Sequence, residues 1–192
     1  MCIRDSVRTE VQGAFYRPVF PNWFNNNVVA SFTMDGGFVL PWGNDTVRIN
    51  DRFFKGGNSF RGFEVAGLGP RAVTRDETTG ELLRGDALGG RLYAVGAFEV
   101  AFPLGLPEQY GVRGSVFTEF GTLGLLDTPD QIAETTPGVV YTIDDLALRA
   151  SAGVSIFWDS PFGPVRFDFA EAFIKEDYDR AEFFRFSTRT GF

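Results

Sequence analysis

Apolar and polar residues alternate with period two along most of this chain, and the 3.6-residue spacing of an amphipathic helix is nearly absent. In residues 91–102, Leu92, Ala94, Gly96, Phe98, Val100 and Phe102 share one face, and Arg91, Tyr93, Val95, Ala97, Glu99 and Ala101 share the other. Residues 146–158 alternate more cleanly: Leu146, Leu148, Ala150, Ala152, Val154, Ile156 and Trp158 lie opposite Arg149, Ser151, Gly153 and Ser155. In residues 112–121, Arg113, Ser115, Phe117 and Glu119 fall together. Val165, Phe167 and Phe169 oppose Arg166 and Asp168, and Phe184, Phe186 and Phe192 oppose Arg185, Ser187 and Arg189. Two weaker runs, 7–19 and 26–40, bring the prediction to about seven strands.

A soluble sandwich would also alternate. Here several predicted strands reach about ten residues, against a usual ~5–6, which is the length a tilted strand needs to cross a bilayer. The connections also alternate between short ("FPNWFN", "PLGLPEQY", "DSPFGP") and long (about 41–87, then 122–145), the last one, "FIKEDYDRAE", being of medium length. Short turns on one rim and long loops on the other are the habit of outer-membrane barrels. The fold class predicted is therefore all-β: an antiparallel transmembrane β-barrel. Seven strands cannot close one, because an open edge in lipid leaves backbone groups unpaired. The expectation is that residues 7–192 are one part of a larger barrel.

Composition narrows the chemistry. The chain holds 22 Phe and 23 Gly, and its mean hydropathy is −0.05, as expected when only one face of each strand is apolar. No run approaches the ~20 apolar residues of a spanning helix. A net charge of −7 argues against a nucleic-acid partner held by basic patches. The absence of His removes His-based triads and metal sites from this stretch. Cys2, the only cysteine, has no intrachain partner. Residues 1–6 (MCIRDS) contain Arg4 and Asp5 where a leader would be apolar, and are read as a non-native start.

One segment does not fit a plain strand or turn. "RFFKGGNSFRGFEVAGLGPR", residues 52–71, mixes bulky Phe, several Gly and a cation between Phe60 and Gly62. Gly56, Gly57 and Gly62 would permit tight or positive-φ backbone, and the planar fork of Arg61 suits bidentate carboxylates. Glu99 and Glu119 both fall on faces assigned as inward. They could be a catalytic carboxylate pair, but without His or a cleft that reading is weak, so no catalytic residue, metal or cofactor is expected. "GGNSFRG" lacks the GK[ST] of a phosphate loop. Asp127, Asp130, Asp144 and Asp145 match no calcium-loop spacing and are read as a solvated acidic loop. Trp158 and the strand-end Phe residues are read as interfacial anchors.

The same segment resembles the sixth-loop signature of the Omp85 superfamily (the bacterial surface antigen D15 domain), whose "(V/I)RG(F/Y)" core stands here as Phe60, Arg61, Gly62 and Phe63, with Phe60 in the Val/Ile slot. "ALGGRLYAVGAFEVAFPLGLPEQYGVRGSVFTEFG", "WDSPFGPVRFDFA" and "FFRFSTRTGF" are similar to the strands that follow in its barrel-assembly members. The resemblance implies roughly the last seven strands of a sixteen-stranded barrel, with periplasmic POTRA domains and earlier strands lying outside this stretch. It implies that the long loop folds into the lumen, where Arg61 meets Glu99 and Glu119 as a latch; the family more often has Asp at the latter. It implies a terminal strand, marked by Phe184, Phe186 and Phe192, at a seam that admits client strands. The partners implied are outer-membrane lipid, unfolded β-barrel clients and, through POTRA domains, accessory lipoproteins of the assembly machinery. A TamA-type or two-partner-secretion translocase, a passive porin and an outer-membrane hydrolase are the alternatives.

Overall fold

The computed structural model describes residues 6–19, 28–42, 46–75, 82–127, 133–134, 139–161 and 163–188. Eleven strands occur among them: β1 (Ser6–Pro18), β2 (Val29–Pro41), β3 (Arg71–Arg75), β4 (Leu82–Ala87), β5 (Leu92–Pro103), β6 (Val112–Gly124), β7 (Ala133–Glu134), β8 (Val139–Ile143), β9 (Arg149–Ser160), β10 (Gly163–Ile174) and β11 (Phe184–Thr188). Seven form one sheet in the order β1-β2-β5-β6-β9-β10-β11. Each pairs antiparallel with the next one along the chain that belongs to that sheet. These are the seven strands expected from the alternation. β1 and β11 are the edges, so the sheet is an open wall and not a closed barrel.

The two faces differ as the period-two pattern requires. Met34, Phe98, Phe120, Val154, Ile156, Trp158, Phe184 and Phe186 are exposed on one side. On the other, Ser115, Glu119, Arg149, Ser151, Ser155 and Asp168 are buried. Water-shunning outside and polar inside is the arrangement of a wall between lipid and lumen.

Three cross-strand pairs set an aromatic ring over a glycine. The Tyr93 ring lies where a Cβ on Gly37 would stand. Phe120 covers Gly96, 2.6 Å from that missing Cβ, and Phe117 covers Gly153 at 2.9 Å. A one-residue slip would put a side chain opposite the Phe117 and Phe120 rings and turn every inward group outward. These pairs therefore help hold the register.

The connections contain more structure than a bare loop of 41–87 anticipates. β3 and β4 form a hairpin in the first long connection, and β7 and β8 form one in the second. β3 pairs with β8 to join them into a second sheet, β4-β3-β8-β7. The strands are short and do not repeat a clear alternation, so no periodic signal marks them.

The apolar core lies inside the wall. Val39, Tyr93, Leu123 and Ala172 of the main sheet pack with Val47, Phe53, Phe60, Phe63 and Leu68 of the first long connection. Phe60 and Phe63 are fully buried and meet edge to face, ring centroids 5.2 Å apart. The connection thus folds onto the inner face of the sheet and supplies five of the nine residues of that core.

Candidate functional site

The site is built from the tip of that connection. Isolated bridges Phe53–Gly90 and Lys55–Leu68 narrow it to residues 56–67. Gly56 has φ 126° and ψ 176°, a region open essentially to glycine alone. A 3-10 turn, Gly57–Ser59, follows, closed by the Ser59 hydroxyl, which accepts from the Gly56 amide at 3.1 Å and donates to the Gly56 carbonyl at 2.9 Å. Gly62 has φ 85°, and a Cβ there would press on Ser151. This backbone turns Arg61 toward the wall.

Arg61 is 5% exposed and meets four strands. Its Nε donates to Glu119 Oε1 of β6, and its own amide donates to Glu119 Oε2 at 2.6 Å. Its Nη2 donates to Glu99 Oε2 of β5 at 3.0 Å. Nη1 donates to the Ser155 hydroxyl of β9 at 3.3 Å and lies 4.0 Å from Asp168 of β10. The guanidinium stacks over Phe117, 3.4 Å from the ring centroid, a placement that adds cation–π attraction. The Arg61 carbonyl accepts from Ser151 Oγ at 2.6 Å.

The acids are themselves oriented. Ser115 donates to Glu99 Oε1 at 2.5 Å, Ser155 donates to Asp168, and Arg166 donates to Asp168 at 2.7 Å. Buried charges persist when paired and hydrogen-bonded in this way. A polar cavity of about 340 Å³ borders the cluster, lined by Thr33, Asp35, Glu99, Glu119 and Arg166 among others.

Glu99 and Glu119 stand beside Arg61, and Phe60, Gly62 and Phe63 pack around it. Asp168, Ser155 and Arg166 also belong to the cluster, though the sequence reading did not join them to Arg61. The alternation already placed Asp168 and Arg166 together on the inner side, and that polar pair on a buried face was the available signal.

A second contact precedes the first. Lys55 Nζ lies 2.7 Å from Asp35 Oδ2 of β2 and 3.6 Å from the Tyr93 ring centroid. Tyr93 donates to Asp35 Oδ1 at 2.7 Å. Lys55→Met is expected to weaken docking of residues 56–59 by about 1 kcal/mol, because Asp35 is a third exposed and solvent screens the pair. Faster amide exchange confined to those residues is the check; unchanged exchange would mean that the pair contributes nothing.

The acidic connection differs from expectation. Asp127 accepts from the Val47 amide at 2.7 Å and pairs with Arg91. Asp144 accepts from the Leu126 amide at 2.6 Å. These two carboxylates hold the connections together instead of facing solvent, whereas Asp145 is exposed. Asp130 lies outside the described residues. No group of three or more His, Cys, Asp or Glu is placed to hold a metal among the described residues.

Phe184 and Phe186 of β11 face outward and pack, with tilted rings, against Phe169 and Phe167 of β10, centroids 5.1 and 5.3 Å apart. β11 pairs with β10 over five residues, Phe184–Thr188. Phe192 lies outside the described residues.

A family described as the Omp85 superfamily domain matches residues 4–192. The outer membrane protein assembly factor BamA of Neorickettsia risticii (strain Illinois) is 34% identical over 167 residues, 87% of this chain and 20% of its own. BamA of Neisseria meningitidis is 31% identical over 155 residues, 74% of this chain and 19% of its own. The human sorting and assembly machinery component 50 homolog is 34% identical over 95 residues, 49% of this chain and 18% of its own. Among solved structures, BamA from Haemophilus ducreyi lacking POTRA domains 1–3 superposes with a TM-score of 0.74 at 24% identity, covering 95% of this chain and 34% of that one. The chain spans about a fifth of the length of the curated relatives it matches.

Proposed function

This chain belongs to the Omp85 superfamily, and from that premise we propose that it forms the carboxyl-terminal part of the barrel of a BamA-type factor that folds and inserts β-barrel proteins. It is a segment of a bacterial outer-membrane barrel wall, 12 or 13 residues high in all but its last strand. The BamA relatives it resembles are named as assembly factors, which supports a non-catalytic role.

One observation carries the reading: a loop is folded onto the lumenal wall, with Arg61 bound by carboxylates of two strands and within reach of a third. The Arg61 cluster acts as a latch that fixes the loop to β5, β6, β9 and β10.

The finer mechanism proceeds from the sheet edge. Among the described residues, β11 pairs with β10 over five positions, against ten or more for the other neighbouring strands of the wall. An unfolded client strand adds to such an edge by β-augmentation, its amides and carbonyls pairing with backbone groups of the wall. The driving force is backbone hydrogen bonding exchanged strand by strand, with no nucleotide. Clients are unfolded barrel polypeptides in contact with outer-membrane lipid, and accessory lipoproteins dock through POTRA domains.

Depletion of the full-length product that carries this segment tests the reading. Folded barrels should fall in the outer membrane while unfolded clients accumulate in the periplasm. Normal barrel levels would overturn it, and steady conductance in planar bilayers without an assembly defect would favour the porin alternative.

A further inference from the structure

The nine residues between β10 and β11, 175–183, are bound to the latch loop as if they were a further strand. The Glu64 amide donates to the Arg180 carbonyl at 2.9 Å, the Arg180 amide donates to the Gly67 carbonyl at 2.8 Å, and the Glu182 amide donates to the Gly62 carbonyl at 3.0 Å. Phe63 and Ala181 form the bridge between them. These backbone bonds begin one residue beyond Arg61 and end two residues before β11.

Side chains reinforce the junction. Arg180 donates to the Gly85 carbonyl of β4. Arg185 of β11 is bonded to Glu182 and lies over Gly57 of the latch, 3.2 Å from where a Cβ there would stand. The segment is also fixed to the wall. Arg149, at the start of β9, pairs with Asp179 at 2.9 Å, and neither side chain has any exposure. Arg149 donates to the Tyr178 hydroxyl at 2.9 Å, and Asp179 accepts from the Glu176 amide at 2.9 Å. Burial raises the Tyr178 hydroxyl to about 12, so it stays neutral beside Asp179.

We propose that residues 176–182 are a positioning element that couples the Arg61 latch to the terminal strand, so that releasing either one loosens the other. The proposal rests on the latch reading above and adds a mechanical link to it. Two groups of contacts meet on one short segment: latch backbone on one side, the buried Arg149–Asp179 pair on the other. β11 follows directly, and its described residues pair with β10 over five positions. Freeing residues 62–67 removes three backbone partners from the segment, and β11 then loses the anchor that sets where it starts. Linkage of this kind acts equally in both directions.

Hydrogen exchange on the full-length protein in detergent tests the link without reference to client assembly. Arg61→Ala should speed exchange roughly tenfold in residues 180–188 as well as in 60–67, since locally held segments open independently of the core. Asp179→Asn should do the same in reverse, speeding 60–67. Protected amides in β5 and β6 serve as the folded reference in both. Gly67→Ala is the backup if Arg61→Ala does not fold. It keeps every charge, but its Cβ would meet the Arg180 and Glu64 carbonyls, each at 2.6 Å, so it wedges the junction apart and should loosen 180–188, β11 included. If Arg61→Ala or Gly67→Ala loosens only the latch and leaves 180–188 as protected as in the parent, the coupling does not exist. A loss of client assembly with unchanged exchange in 180–188 would spare the latch and overturn only the link.

Discussion

Arg61→Ala is expected to undock the loop from the wall and to lower client assembly sharply while the barrel stays in the membrane. The substitution leaves Glu119, 6% exposed, and Glu99 without their cation, and Asp168 keeps only Arg166. Removing one partner of a buried ion pair costs about 3–5 kcal/mol, against about 1 kcal/mol for an ordinary hydrogen bond. At about 1.4 kcal/mol per tenfold, that shifts docking by roughly two to three and a half orders of magnitude. Arg61→Lys is expected to recover part of the loss. An ammonium keeps the charge but cannot reach Glu119, Glu99 and Ser155 at once, nor stack as a plane on Phe117. The strands themselves keep their ladders, so the barrel should still insert. Folded client levels in the outer membrane, with barrel heat-modifiability as the control, make the measurement. Normal clients in the Ala variant would remove the latch from the mechanism.

The wall was legible because its physics is periodic. A strand between lipid and a wet lumen must alternate, and the residues of β5, β6 and β9 sort by parity into the faces that the structure presents. Glu99 and Glu119 were legible as inward groups for the same reason, and their association with Arg61 came from a family resemblance and not from spacing. What was missed lacks periodicity. The Arg149–Asp179 pair joins a strand end to a loop across thirty positions; the alternation sets Arg149 on the polar face with Ser151 and Ser155, but nothing in the sequence marks Asp179 as its partner. Asp127 was read as solvated, yet it caps the Val47 amide and binds Arg91. A charged residue in a long connection carries no mark of burial until the connection's own partner is known. The β3–β8 pairing is hidden in the same way, since it is formed by two loops about seventy residues apart.

Gly56→Ala is expected to disrupt the latch nearly as much as loss of Arg61, although it removes no charge and no side-chain contact. At φ 126° and ψ 176° an alanine is strained by about 1–3 kcal/mol. The larger effect is steric. A Cβ on Gly56 would overlap the Glu64 carbonyl, with the Gly67 amide at 2.9 Å behind it. Both are backbone atoms of the same compact tip, and the Gly57 amide already donates to the Phe63 carbonyl at 2.8 Å. Neither atom can rotate away as a side chain would. The tip must open, and Phe60 and Phe63 must leave their buried positions with it. Gly105→Ala separates the two causes. Gly105 has φ 75° but nothing within 4 Å of its missing Cβ, and it lies in the short turn between β5 and β6, so it carries backbone strain alone. In the full-length protein, tryptic cleavage after Arg61 should become fast in Gly56→Ala and stay slow in Gly105→Ala. Equal protection of Arg61 in both variants would mean that the tip tolerates the overlap, and that its glycines are not what holds Arg61 against Glu99 and Glu119.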